Sequence, residues 1–136
     1  LDSNGHNWIE EYIVHPPTHI LNGFIWGLWG VYDYALQLND EKAITLFKQY
    51  IRTLVKELDS YDNGFWSLYE HSGTWLKMIA SSFYHKLHIV QLRVMYELTS
   101  ENIFNDKANK WEDYLSKPFN RKRAFIQKAI FKVCYY

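Results

Sequence analysis

The chain has 136 residues, enough for one domain that hides about two-thirds of its unfolded surface. Apolar residues make up 48% and charged residues 22%, which excludes a disordered or fibrous chain, and aromatics reach a high 18%. The formal net charge is zero, and a single cysteine, Cys134, excludes an internal disulfide framework and a multi-cysteine zinc site.

Residues 1–16 are polar, and Asn4-Gly5 and Pro16-Pro17 predict an extended opening segment. The chain starts at Leu1 without an initiator methionine, so a fragment or a processed product is expected. A helix is predicted from Pro17 or Thr18 to Leu38. Ile20, Leu21, Phe24, Ile25, Leu28, Val31, Tyr32 and Ala35 nearly encircle it, the mark of an inner helix. Its apolar run, Ile20 to Tyr32, is shorter than the ~20 residues of a spanning helix, so no transmembrane segment is expected. Gly23, Gly27 and Gly30 share a face that another helix or a ligand can approach closely.

Asn39 and Asp40 are cap candidates for a one-sided outer helix that reaches Leu58, with Ala43, Phe47, Tyr50, Ile51 and Leu54 on its apolar stripe. Asn63-Gly64, flanked by Tyr61 and Phe65-Trp66, predicts a short β-hairpin near residues 60–67. A third helix covers Ser82 to Leu98. Ser100 is the cap candidate for a fourth, whose stripe is Phe104, Ala108, Trp111 and Leu115. Pro118 opens a fifth, with Phe125, Ile126, Ala129, Ile130 and Val133 on its expected buried side. The fold class is therefore all-α: antiparallel helix pairs in a bundle or in part of an α/α toroid. Charge is uneven along this series. Residues 1–116 hold nine basic and all 15 acidic side chains, whereas residues 117–136 hold six basic and no acidic ones. That strip could hold an anionic polymer, or pair with the acidic body or a missing domain.

Chemistry has three candidate places. Tyr84, His88, Gln91 and Met95 share one face of the third helix, opposite the apolar Phe83, Leu87, Val90 and Val94. An exposed or core-satisfied polar face and a cleft lining are both open. Glu10, Glu11, Tyr12 and His15 form the second group, and Tyr69-Glu70-His71 the third; solvated charges beside packing aromatics are the bland alternative for each. The pairs His85/His88 and His15/His19 lack a third ligand at metal-site spacing, and neither a P-loop nor a GxGxxG or GxSxG motif is present. No metal, no cofactor and no nucleic-acid partner is expected.

Three ordered blocks change this balance. Glu10-Glu11-Tyr12 runs through Pro16-Pro17 to Leu21-Asn22-Gly23-Phe24-Ile25. Tyr61-Asp62-Asn63-Gly64 is followed by Leu68-Tyr69-Glu70. Tyr84-His85 leads to His88-Ile89-Val90-Gln91-Leu92. Together they resemble the C-terminal domain of the D-glucuronyl C5-epimerase family, the enzymes of heparan sulfate and heparosan biosynthesis. The likeness covers residues 10–115, weakly beyond Trp111 through Tyr114-Leu115, and leaves residues 117–136 outside.

The resemblance implies an α/α toroid-like domain, an incomplete barrel, whose inner faces line a polysaccharide cleft. It implies Glu11, Tyr12, Tyr69 and Tyr84 as catalytic residues, with His85, His88, Asn22 and Trp66 expected among those that bind substrate. The implied partners are an anionic uronate-containing polysaccharide and preceding domains of a longer chain; homodimerisation stays open. One departure concerns the arginine that the family places three residues after the tyrosine of the second block. Ser72 stands there, with His71, His85 and Lys86 as the nearby candidates to compensate.

The implied reaction turns D-glucuronate into L-iduronate by removing H5 and returning a proton to the opposite face. Tyr69 and Tyr84 are the expected two-sided pair if the site brings their pKa down from ~10. Tyr12 would assist, and Glu11 would act as base or orient Tyr12. A polysaccharide lyase would share the H5 abstraction, and a glycosidase would need two carboxylates, such as Glu11 with Glu70 or Asp62. A non-catalytic carbohydrate-binding module would keep only the cleft.

Overall fold

The computed structural model describes residues 5–135; residues 1–4 and Tyr136, the ends of the predicted opening segment and basic strip, lie outside them. The described chain is mainly helical. Helix α1 spans Leu21–Leu38, α2 Glu41–Glu57, α3 Ser82–Thr99, α4 Asn102–Ser116 and α5 Pro118–Tyr135, and a 3₁₀ turn covers Leu58–Tyr61. Two-residue connections fold α2 back on α1 and α4 back on α3. The first connection divides its labour. Asn39 closes α1 in the left-handed conformation, and the Asp40 carboxylate opens α2 by accepting from the Lys42 and Ala43 amides at 2.8 and 3.2 Å.

Three boundaries differ from the sequence expectation. The first helix starts at Leu21 rather than Pro17 or Thr18, because the chain before it is held out of a helix: His19 has φ 49° and Ile20 is extended, the Thr18 carbonyl accepts from the His71 amide, and Leu21 donates to the Tyr69 carbonyl. Ser100 does not cap α4. It closes α3 in the left-handed conformation, and Glu101 opens α4 without a side-chain cap. The β-hairpin near residues 60–67 does not form. Phe65, Trp66, Ser67 and Leu68 are buried in succession, so the chain lacks the in–out alternation of a strand and keeps only isolated bridges, Asp62 to Ser67 and Leu68 to Ile79. The Asn63-Gly64 turn itself is real: Gly64 has φ 78° and donates to the Asp62 carboxylate at 2.9 Å.

The core gathers Leu21, Phe24, Ile25 and Leu28 of α1 with Leu54, Tyr61, Trp66 and Leu68, and with Leu92, Met95, Phe104 and Trp111 of α3 and α4. Each large apolar side chain fully buried there contributes about 1.5–3 kcal/mol. The Trp29 indole donates to the Met95 sulfur at 3.3 Å and ties α1 to α3.

Helix α5 turns a different face inward from the one its apolar stripe predicts. Phe125, Ile126, Ala129, Ile130 and Val133 are exposed, and Ala124 and Phe131 are the buried pair. Polar anchors set the rotation. Arg123 lies 3.8 Å from the Phe65 ring centroid, the Lys128 ammonium donates to the Ile79 carbonyl at 2.9 Å, and the Tyr135 hydroxyl accepts from the Leu76 amide at 3.3 Å. Ala124, Lys128, Phe131 and Tyr135 follow one face of the helix, with Arg123 to its side, and α5 lies along the segment 65–81 that leads into α3.

The glycine face of α1 receives the opening segment. A methyl group at Gly23 would come within 2.5 Å of the Glu11 carboxylate, and one at Gly27 within 2.8 Å of the Ile9 side chain; at Gly30 it would meet nothing within 4 Å. Residues 9–11 therefore form a strap on the bare backbone of α1. Replacing Gly27 by Ala should lower unfolding stability by about 1–3 kcal/mol through overpacking. Gly30→Ala should be neutral or raise it by up to about 1 kcal/mol. Urea denaturation checks both, and an equal response at the two positions would show that the strap does not bear on the helix.

Candidate active site

Tyr12 from the strap, Tyr69 from the segment between the 3₁₀ turn and α3, and Tyr84 from the first turn of α3 line one cleft of about 380 Å³. Ile20, Glu70, Met78, Ser81, Lys128 and Lys132 complete its wall. The Tyr69 and Tyr84 rings meet edge to face, with centroids 4.9 Å apart, and the Lys128 ammonium stands 5.5 Å from the Tyr69 centroid. Tyr12 is 55% exposed on the strap, apart from that ring pair. Glu11 is exposed beside it, seated over Gly23.

Each tyrosine is placed by its neighbours in sequence. The Ser67 hydroxyl bonds His85 Nδ1 at 2.8 Å and His88 Nδ1 at 3.0 Å, and its amide donates to His85 Nδ1 at 3.2 Å. His85 Nε2 in turn reaches the Trp111 carbonyl at 3.0 Å. An amide donating to Nδ1 and a carbonyl facing Nε2 fix His85 as the neutral imidazole with its proton on Nε2. Trp66 stacks on His85 with centroids 3.8 Å apart and donates to the Ala80 carbonyl at 2.9 Å. Ser67 is thus pinned two residues before Tyr69, and His85 one residue after Tyr84. At the helix start, the Ser81 hydroxyl accepts from the Tyr84 amide at 3.3 Å.

Four residues expected to bind substrate lie under this surface. His85, His88 and Trp66 are completely buried, and Asn22 is 2% exposed. Gln91 of the same face is also buried and donates to the Asn22 carbonyl at 3.0 Å. The polar face of α3 points into the core, while Phe83 and Val90 of its apolar face are exposed, the reverse of ordinary amphipathic packing. These side chains shape the cleft from behind and present no surface to a ligand.

Proton affinities differ from the expectation of tyrosines tuned downward. Burial, followed by Tyr84 and Glu11, pushes Tyr69 well above the ordinary phenol range. The adjacent Glu11 carboxylate raises Tyr12. Both stay protonated near neutrality. Burial pushes His85 down to about 4 and His88 to about 3, and it takes His71 to about 4, so none of the three supplies a cation at neutral pH.

Ser72, at the position of the family's arginine, hydrogen-bonds Thr74 at 3.2 Å in a small adjoining depression with Glu70 and His71. Lys86 is exposed on α3 and is not part of the cleft wall. Asp62 is engaged elsewhere, by Lys107 at 3.3 Å and Lys110 at 2.9 Å. Glu70 is therefore the carboxylate that joins the tyrosines, and Lys128 and Lys132 are the cations. Neither lysine stands out in the sequence except as part of the acid-free strip of residues 117–136, four residues apart and so on one helical face. A wider apolar groove of about 740 Å³ runs past Trp75, Phe119, Ile126 and Ile130. Its wall has no carboxylate, histidine or tyrosine.

The family model described as D-glucuronyl C5-epimerase C-terminus matches residues 1–113. A D-glucuronyl C5-epimerase of Caenorhabditis elegans is 30% identical over 125 residues, covering 81% of this chain and 20% of its own length. An uncharacterized protein of Methanocaldococcus jannaschii is 28% identical over 106 residues, covering 78% of this chain and 33% of its own. The chain thus spans a third or less of these relatives.

Because the buried histidines are neutral in the fold and gain protons on unfolding, stability should be fully present above pH ~6.5. It should fall as the pH drops from there toward 4, with the loss starting before ordinary carboxylates titrate. Urea midpoints across pH 4–7.5 test this, and a flat profile from pH 7 to 5 would contradict the neutral network.

Proposed function

The chain belongs to the D-glucuronyl C5-epimerase C-terminus family, and we propose that it carries the proton-transfer centre of a polysaccharide uronate C5-epimerase. One observation supports this reading above the rest: three phenols from three separate segments line the same cleft, beside a carboxylate and two ammonium groups. In the proposed setting the helix pairs are part of an α/α toroid. The remaining cleft walls come from sequence outside this segment, as the greater length of the relatives suggests.

The substrate in this reading is glucuronate within a heparosan-like polymer, and the product is L-iduronate. H5 lies next to a carboxylate, so a base can take it while the C5–H electron pair moves into the carboxylate as an enolate. A second group then returns a proton to C5 on the opposite face, and no redox equivalent is consumed. Tyr69 and Tyr84 touch each other, and a pyranose ring has no room between them as they stand. We therefore assign the two faces differently from a Tyr69/Tyr84 pair. The Glu11 carboxylate takes H5, with the protonated Tyr12 beside it; Tyr69, kept protonated by burial, delivers the new proton; Tyr84 orients the Tyr69 ring edge-on.

The glycosidase alternative loses Asp62 to its lysine partners, so only Glu70 remains to pair with Glu11. NMR of heparosan incubated with the protein in deuterated water tests the proposal. Deuterium at C5 with new iduronate signals is expected, and unsaturated-uronate signals would mean a lyase instead. Tyr69→Phe should slow exchange by about 10²–10⁴-fold while polymer binding is largely kept. Exchange unchanged in both Tyr69→Phe and Tyr84→Phe would remove the tyrosines from the mechanism.

A further inference from the structure

We propose that Lys128 and Lys132 of α5 form the carboxylate-binding wall of the tyrosine cleft. The inference rests on the uronate reading above and adds the residues that recognise the acid group.

Lys128 and Lys132 are the cations in the cleft lining, and both come from a helix that begins after the family match ends at residue 113. Lys128 is only partly exposed, and Lys132 stands one helical turn away with the same charge. Facing these two positive charges are Glu70 in the cleft wall and Glu11 on the strap beside it. Lys128 is also oriented rather than loose. One of its three protons goes to the Ile79 carbonyl at 2.9 Å, and the ammonium stands over Tyr69, leaving two donors for a group lying against that ring. A uronate bound there would have its carboxylate on the lysines and C5 beside the phenols. The developing enolate places its charge on the same carboxylate oxygens, where fixed cations stabilise it most.

Binding of heparosan and of carboxyl-reduced heparosan, in which every glucuronate has become glucose, tests the inference on the whole protein that contains this chain. The wild type should prefer the carboxylated polymer. Lys128→Met and Lys132→Met should each weaken binding of that polymer by about 10-fold, the usual scale for a lost charged hydrogen bond, and leave the reduced polymer unaffected. Lys128→Arg should retain most of the preference. Lys132 is exposed, so its variant separates recognition from folding. If both Met variants keep the wild-type preference, the lysine assignment is wrong while the uronate reading stands. A loss confined to Lys128 that arginine does not rescue would mark packing against Ile79 and would overturn it too. A wild type that binds both polymers equally would overturn the uronate reading, and the inference with it.

Discussion

Ser67 holds the cleft together. One small side chain and its amide engage two buried imidazoles, and through His85 the linkage continues to the Trp111 carbonyl on α4. The segment after the 3₁₀ turn, α3 and α4 are thereby fixed to one another by directional bonds rather than by apolar contact alone. Removing one partner would leave a buried polar atom unpaired, at a cost of about 1–3 kcal/mol. Tyr69 and Tyr84 flank this hub in sequence, and their edge-to-face contact follows from it. The opening strap is a second layer. It is pinned by the His71 amide to the Thr18 carbonyl at 2.7 Å, by the Tyr61 hydroxyl to the His19 carbonyl at 2.5 Å, and by Glu10, which accepts from the His19 amide at 3.1 Å. Tyr12 reaches the same space only because those bonds set the path of the strap.

How much of this the sequence reveals depends on the kind of signal. Asp40 is legible because a carboxylate before a helical stripe has one good local use, and Pro118 is legible for the same reason. The inward polar face of α3 is not. Periodicity finds Tyr84, His88 and Gln91 on one side of a helix, but the direction of that side depends on Ser67 and Asn22, which are distant in the chain. The α5 stripe misleads for a related reason: Arg123, Lys128 and Tyr135 find partners on residues 65–79, distant in the chain, while Ile126 and Ile130 stay exposed. At residues 60–67 the turn chemistry is local and correct, yet the run Phe65–Leu68 enters the core as irregular chain. The tyrosines are a separate case. Composition and spacing leave them open, and only the ordered blocks shared with the family single them out.

The cleft holds Tyr69 and Tyr12 in the same protonated form. Burial and the nearby Glu11 keep Tyr69 a proton donor, while the same carboxylate raises Tyr12. The lysine side chains complete the set by giving the wall a charge opposite to that of a uronate.

Helix α5 lends the core little, only Ala124 and Phe131, but it provides all the positive charge of the cleft wall. Structural burden and chemical character are therefore carried by different parts of the chain. The scaffold of α1 to α4 can stay constant while the exposed Lys132 changes, whereas Lys128 is tied to it through the Ile79 carbonyl. The charge of the cleft wall can therefore change at an exposed position while the fold beneath it stays as it is.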